Sequence, residues 1–171
     1  MVTIKILQYR ADKQDGHLLD DAISIWTKLF NWNTPPYSHS EICFSDGLCF
    51  SSTTRERGTG KKFIGTRLEN FEIVTRNKHR WDIYEKQVSP FQERIMLERA
   101  KRIGGRKYYF FGIFLDFFLP FGWISAYVGK KLGQWYCSQA VYYVLAGKRK
   151  RMSPRRLTNY ILKNGFVLAK G

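Results

Sequence analysis

Cysteine is scarce in this chain: three residues, Cys43, Cys49 and Cys137, with none in a C-x-x-C pair. That argues against a zinc knuckle or a dithiol redox motif, and the odd number reads as free thiols in a reducing compartment. Acidic residues are also few, 14 against 29 Lys and Arg, so the formal charge is +15 and the long-range field favours anionic partners. The apolar stretch 108–128 is interrupted by Asp116, Pro120 and two glycines, which weighs against an uninterrupted membrane-spanning helix of about 20 apolar residues. The first residues, Met-Val-Thr-Ile-Lys-Ile-Leu, have no basic segment followed by a long apolar run and a cleavage site. They read as a strand, and the chain is expected to stay in the compartment where it is made, the cytoplasm. No internal repeat and no low-complexity tract stands out. Small size, basicity and the lack of a targeting signal suit a virus- or phage-encoded accessory protein.

What is present suffices for one domain. A chain of 171 residues with 44% apolar side chains can bury a core without metals or crosslinks. Residues 2–9 alternate as a strand, and 18–30 carry apolar side chains at helical spacing behind Asp20 and Asp21. Tyr37–Phe44 and Leu48–Ser52, joined by Ser45-Asp46-Gly47, form a predicted hairpin. The segment 55–62, rich in Gly and Arg, reads as a loop, with short strands near Phe63–Ile64 and over Trp81–Val88. Helices are predicted from Ser89-Pro90 to about 103, over Gln134–Ala146, and over Ser153–Lys163. A small antiparallel sheet followed by helices makes an α+β protein.

Chemistry concentrates at two places. Cys137 lies in the first turn of a predicted helix, where exposed N–H groups and the helix dipole stabilise a thiolate. A nucleophilic thiol needs a base. Of the three histidines, His17 sits in a charged turn and His79 in the basic run Arg76–Arg80, which leaves His39 on the hairpin. Glu41 follows two residues later on the same strand face, within reach to orient the imidazole.

The elements Ser38-His39-x-Glu41, Gly47-x-Cys49-Phe50-Ser51-Ser52, Gly105-x-Lys107-Tyr108 and Trp135-Tyr136-Cys137-Ser138-Gln139, in that order, resemble the circularly permuted NlpC-type cysteine peptidases, a papain-like branch in which histidine precedes cysteine. The resemblance spans about Tyr37 to Leu145. It implies a permuted papain-like fold, Cys137 as nucleophile, His39 as base and then acid, and a polar third residue: Glu41, or Ser51 or Ser52 if that residue lies on the next strand. Tyr37, Ser51 and Ser138 would line the substrate, and no cofactor or metal is called for. Gln139 and Tyr109 depart from the family pattern, which often has Glu and Asp at those positions. The implied activity is amide hydrolysis in cell-wall peptides. A lipid acyltransferase or thioesterase resembling the lecithin:retinol acyltransferase relatives is the competing enzyme. A non-catalytic binder, gripping nucleic acid or a membrane surface through Lys148, Arg149, Lys150 and Arg151, is the competing class.

Overall fold

The computed structural model describes residues 1–10, 37–54, 64–109, 131 and 133–169. The helix expected over 18–30, the loop at 55–62 and the apolar stretch from 110 to 128 lie outside them. The described chain is α+β. Strands β1 (Val2–Arg10), β2 (Tyr37–Cys43), β3 (Leu48–Thr53), β4 (Gly65–Asn70), β5 (Trp81–Val88) and β6 (Val167–Leu168) form one sheet in the order β4-β3-β2-β1-β5-β6. Every neighbouring pair is antiparallel.

The helices begin where local chemistry satisfies their first N–H groups. In α1 (Phe71–Val74) the Asn70 side chain accepts from the Glu72 N–H. In α2 (Pro90–Arg102) Ser89 and Gln92 form a reciprocal capping box, with Pro90 in the first turn. In α4 (Pro154–Lys163) the Ser153 side chain accepts from the Arg156 N–H. The helix α3 (Cys137–Ala146) differs: Tyr136 offers no capping side chain, and Gly147, at φ 72°, ends it. It starts three residues later than its apolar pattern suggested. Trp135 instead pairs in a parallel bridge with Tyr108, so Gln134–Tyr136 are spent as an extended lead-in and Cys137 becomes the first helical residue.

The strand expected near Phe63–Ile64 is β4, beginning at Gly65. Its positive φ and the close approach of the Arg106 carbonyl leave no room for a Cβ there. Thr66 then docks on the turn after α2, its N–H donating to Arg106 O at 2.8 Å.

Strand β2 is buried along its whole length, because both sheet faces are covered. On one face Ile4, Ile6, Ile42, Phe50 and Tyr84 pack with Ala140, Val141 and Val144 of α3 and Leu157 and Ile161 of α4. Fully buried side chains such as Leu157 and Ile161 contribute about 1.5–3 kcal/mol each. On the other face lies a smaller cluster of Leu7, Tyr9, Cys43, Cys49 and Trp81, flanked by Phe71, Val74 and Ile83.

The reading of all three cysteines as free thiols is corrected. Cys43 and Cys49 sit directly opposite each other in the β2–β3 ladder, Cα atoms 3.9 Å apart, and form a disulfide. Cys137 is the free cysteine. Disulfides persist in oxidising surroundings, so the inference of a reducing compartment loses its support from cysteine usage. Among the described residues, no helix is long and apolar enough to cross a membrane.

Candidate active site

The site forms where the β2–β3 ladder gives way. The two strands are in register at Ile42/Phe50 and Cys43/Cys49. Beyond that point Ser51 Oγ reaches across and donates to the Ser40 carbonyl at 2.8 Å. The carbonyl and N–H of one strand residue point the same way, so the Ser40 N–H also faces the parting. There it hydrogen-bonds the Cys137 sulfur at the N-terminus of α3.

A one-residue irregularity in β2 lies just before the histidine. Tyr9 pairs with His39 but Arg10 pairs with Tyr37, so Ser38 is an extra residue in β2. His39 and Glu41, two residues apart and in unbroken register with Tyr9 and Leu7, share the face of Tyr9 and Trp81, and the imidazole packs edge-on to Trp81 with ring centroids 6.2 Å apart. His39 Nε2 lies 3.1 Å from Glu41 Oε1 and 3.3 Å from Ser51 Oγ. Arg67, opposite Ser51 on β4, donates through Nη2 to the same Glu41 Oε1 at 3.1 Å. Side-chain exposures of 5% for His39, 2% for Glu41 and 9% for Arg67 make this a desolvated charge cluster.

Cys137 is 4% exposed. Burial pushes its thiol pKa up, but the hydrogen bond and charge of His39 and the backbone groups of Ser40 and Ser138 outweigh it, and the pKa is lowered. A thiol so placed gives up its proton to the imidazole more readily than a free one.

The lead-in to Cys137 is clamped from several sides. Trp135 O accepts from Ser52 Oγ at 2.7 Å and from the Tyr109 N–H at 2.9 Å, and the Trp135 N–H donates to Lys107 O at 3.1 Å. The segment after α3 closes over it. The Met152 N–H donates to the Tyr136 hydroxyl at 3.0 Å, and Ser138 Oγ donates to the Met152 carbonyl. Arg149 lays its guanidinium 4.2 Å over the Trp135 ring and donates to the Gln134 carbonyl and, at 3.3 Å, to Gln139 Oε1.

Cys137, His39 and Glu41 are thus brought together, and of the three candidates for the third position Glu41 and Ser51 lie at His39 while Ser52 is bonded to Trp135. Tyr37, Ser51 and Ser138, expected to line the substrate, are all buried, and their hydroxyls bond inside the protein. The extra residue Ser38 turns Tyr37 to the opposite face, where its hydroxyl donates to Asp82 Oδ2 at 2.5 Å and lies 3.0 Å from the Tyr84 hydroxyl. Burial and the Asp82 hydrogen bond raise its pKa. Ser51 supports the imidazole, and Ser138 fastens α3 to Met152. Arg149 likewise is not part of an open basic patch, whereas Lys148 and Lys150 are exposed. His79 is exposed in a 3-10 turn (Lys78–Arg80), and His17 lies outside the described residues. Arg67 was invisible to sequence reasoning, since it stands in no motif and only strand register brings it to Glu41, and Arg149 was read only as part of a basic cluster, since chain reversal alone brings it to Trp135. Among the described residues, no group of three or more His, Cys, Asp or Glu is placed to hold a metal ion. Comparison of the chain with family models, curated proteins and solved structures finds no match.

Proposed function

We propose that this chain is a thiol acyl-transfer enzyme of the circularly permuted papain-like type, hydrolysing an amide bond, with cell-wall peptides as the substrate class. The observation that carries the reading is the hydrogen-bonded series of Cys137, His39 and Glu41, with the thiol on the first residue of a helix. With Nε2 turned to Glu41, Nδ1 is the ring nitrogen left to take the thiol proton. The thiolate attacks the carbonyl carbon. The oxyanion is held by backbone N–H groups at the uncapped start of α3, and His39 returns its proton to the departing amine. Water, deprotonated by His39, then cleaves the thioester, releases the acid and restores the thiol. Glu41 stabilises the imidazolium formed in each half.

The substrate assignment rests on the resemblance and on a charge of +15, which draws the protein to anionic envelope polymers. The apolar composition of 108–128 favours a second reading, the same chemistry on a lipid ester. The deciding experiment incubates the protein with cell-wall peptides and, separately, with lipid esters, and traps the acyl group on Cys137 by mass spectrometry. Acylation from peptides, lost in His39→Ala, is expected. Acylation only from lipid esters moves the assignment, and none from either class sinks the enzyme reading.

A further inference from the structure

We infer that Arg67 is a positioning residue of this site, holding Glu41 as a carboxylate so that the exchange of a proton between Cys137 and His39 takes place in a buried cluster of zero net charge. The inference rests on the acyl-transfer reading of Cys137 and His39. Count formal charges over the four buried side chains. With a neutral thiol and imidazole, Glu41 and Arg67 cancel. With thiolate and imidazolium, the four charges again cancel. Without Arg67 the cluster would carry −1 in either state, and a buried uncompensated charge is relieved by taking up a proton. The group that would take it is Glu41, and a protonated carboxyl no longer stabilises imidazolium as an anion.

The geometry is specific to this role. Arg67 Nη2 and His39 Nε2 converge on the same oxygen, Glu41 Oε1, each at 3.1 Å, so the guanidinium sets both the charge and the position of the atom that orients the ring. Arg67 is carried on a rigid strand: it stands opposite Ser51, which supports His39, and next to Thr66, anchored on the turn after α2. Its remaining nitrogens, Nε and Nη1, are buried with no hydrogen-bond partner among the described residues. A guanidinium kept purely to fasten two strands would have more of its five donors satisfied; among the described residues this one makes one directed contact, to Glu41. Among the described residues, the other titratable or charged groups on this face are Tyr9, Arg80, Glu69, Lys5 and Glu85. Arg80 donates to the Tyr9 hydroxyl and Lys5 pairs with Glu85, so neither cation stands against Oε1 as Arg67 does.

The test is the rate of Cys137 alkylation by iodoacetamide against pH in the full chain. Wild type is compared with Arg67→Met, Arg67→Lys, Glu41→Gln and the double variant Glu41→Gln/Arg67→Met, with His39→Ala as baseline. Arg67→Met is expected to move the profile toward that of a free thiol by about one pH unit, a loss of about tenfold in rate near pH 6. Arg67→Lys is expected to recover part of the loss. The double variant, in which the pair is neutral, is expected to react like Glu41→Gln alone, since Arg67 acts through Glu41. It also keeps the test open if Arg67→Met fails to fold. A wild-type profile in Arg67→Met, or a double variant that reacts like wild type, overturns the inference while a His39-dependent wild-type profile leaves the acyl-transfer reading standing. If wild-type Cys137 reacts like a free thiol whether or not His39 is present, that reading falls and the inference falls with it.

Discussion

The strand half and the helix half of the site are held by different forces. On β2–β4, His39 and Glu41 are fixed by charge: a carboxylate, a guanidinium on the neighbouring strand, and an imidazole against the same carboxylate oxygen. Around the start of α3, Cys137 is fixed by backbone hydrogen bonds, a hydroxyl on the Met152 carbonyl, and an arginine stacked on Trp135. Each half uses an arginine, but Arg67, with a side chain 9% exposed, faces a formal charge, whereas the partly buried Arg149 faces dipoles and a ring. In the proposed reaction the first arrangement would answer to protonation, and the second would hold the thiol in place. Removing one cation should therefore alter reactivity with pH, and removing the other should alter where the thiol stands.

The largest expected effect lies at the junction of the halves. Cys137→Ser keeps the volume of the side chain but removes the thiolate, and should lower turnover of any productive substrate by about four orders of magnitude or more, measured with the substrate class that acylates the wild type. If serine supports comparable turnover, the nucleophile lies elsewhere and the comparison dissolves. Next is the difference between the arginines in urea unfolding. Arg67→Met strands the buried Glu41 and should cost about 3 kcal/mol. Arg149→Met loses one cation–π contact and hydrogen bonds to neutral acceptors and should cost about 1–2 kcal/mol. The reverse order would show that the helix half depends on charge as well.

A smaller effect, about 2 kcal/mol from loop closure, is expected when Cys43→Ser and Cys49→Ser remove the crosslink at the closed end of the hairpin, read as the shift in urea midpoint on adding a reductant to the wild type. It sharpens the comparison if the alkylation profile of Cys137 also moves, because His39 and Ser51 ride on the two crosslinked strands. The smallest effects are those of pH on stability. The Cys137 pKa is lowered on folding, chiefly by His39 against the opposing effect of burial, so its contribution is fully present above the unfolded thiol value and fades as pH falls through the folded one. The advantage of wild type over Cys137→Ser should therefore grow as pH rises toward the unfolded thiol value, and not in a His39→Ala background. For Tyr37, raised by burial and by Asp82, the sign is opposite: its contribution is present below the unfolded phenol value and lost as the solution becomes more alkaline. Tyr37→Phe should flatten that alkaline loss in thermal melts.

Much of the frame was legible from local pattern. Alternation marked β1, the hairpin and β5; the Asp46-Gly47 turn marked the hairpin; Ser89-Pro90 and Ser153-Pro154 marked two helix starts to within a residue. These signals are local because they arise from backbone torsions and hydrogen bonds that close within a few residues. The pairing of Cys137 with His39 was proposed from residue chemistry and a family resemblance, and the geometry brings the two together. Glu41 reached His39 because residues two apart on a strand share a face. That rule stops at His39, since one extra residue, Ser38, turns Tyr37 to the opposite face and is silent in the alternation.

What the sequence by itself determined, then, is which elements form and which side chains are chemically able to act: a thiol at a helix start, a histidine and a carboxylate two residues apart on a strand. What only the tertiary structure decided is the environment that brings them together. The disulfide depended on the register that sets Cys43 opposite Cys49. The charge balance depended on β4 carrying Arg67 beside Glu41 from 26 residues away. The stillness of the thiol depended on a chain reversal that folds Arg149 and Met152 back over Trp135 and Tyr136. Each of these contacts joins segments distant along the chain, and their energies come from burial and from charges brought out of water, neither of which exists until the sheet and helices have closed on one another.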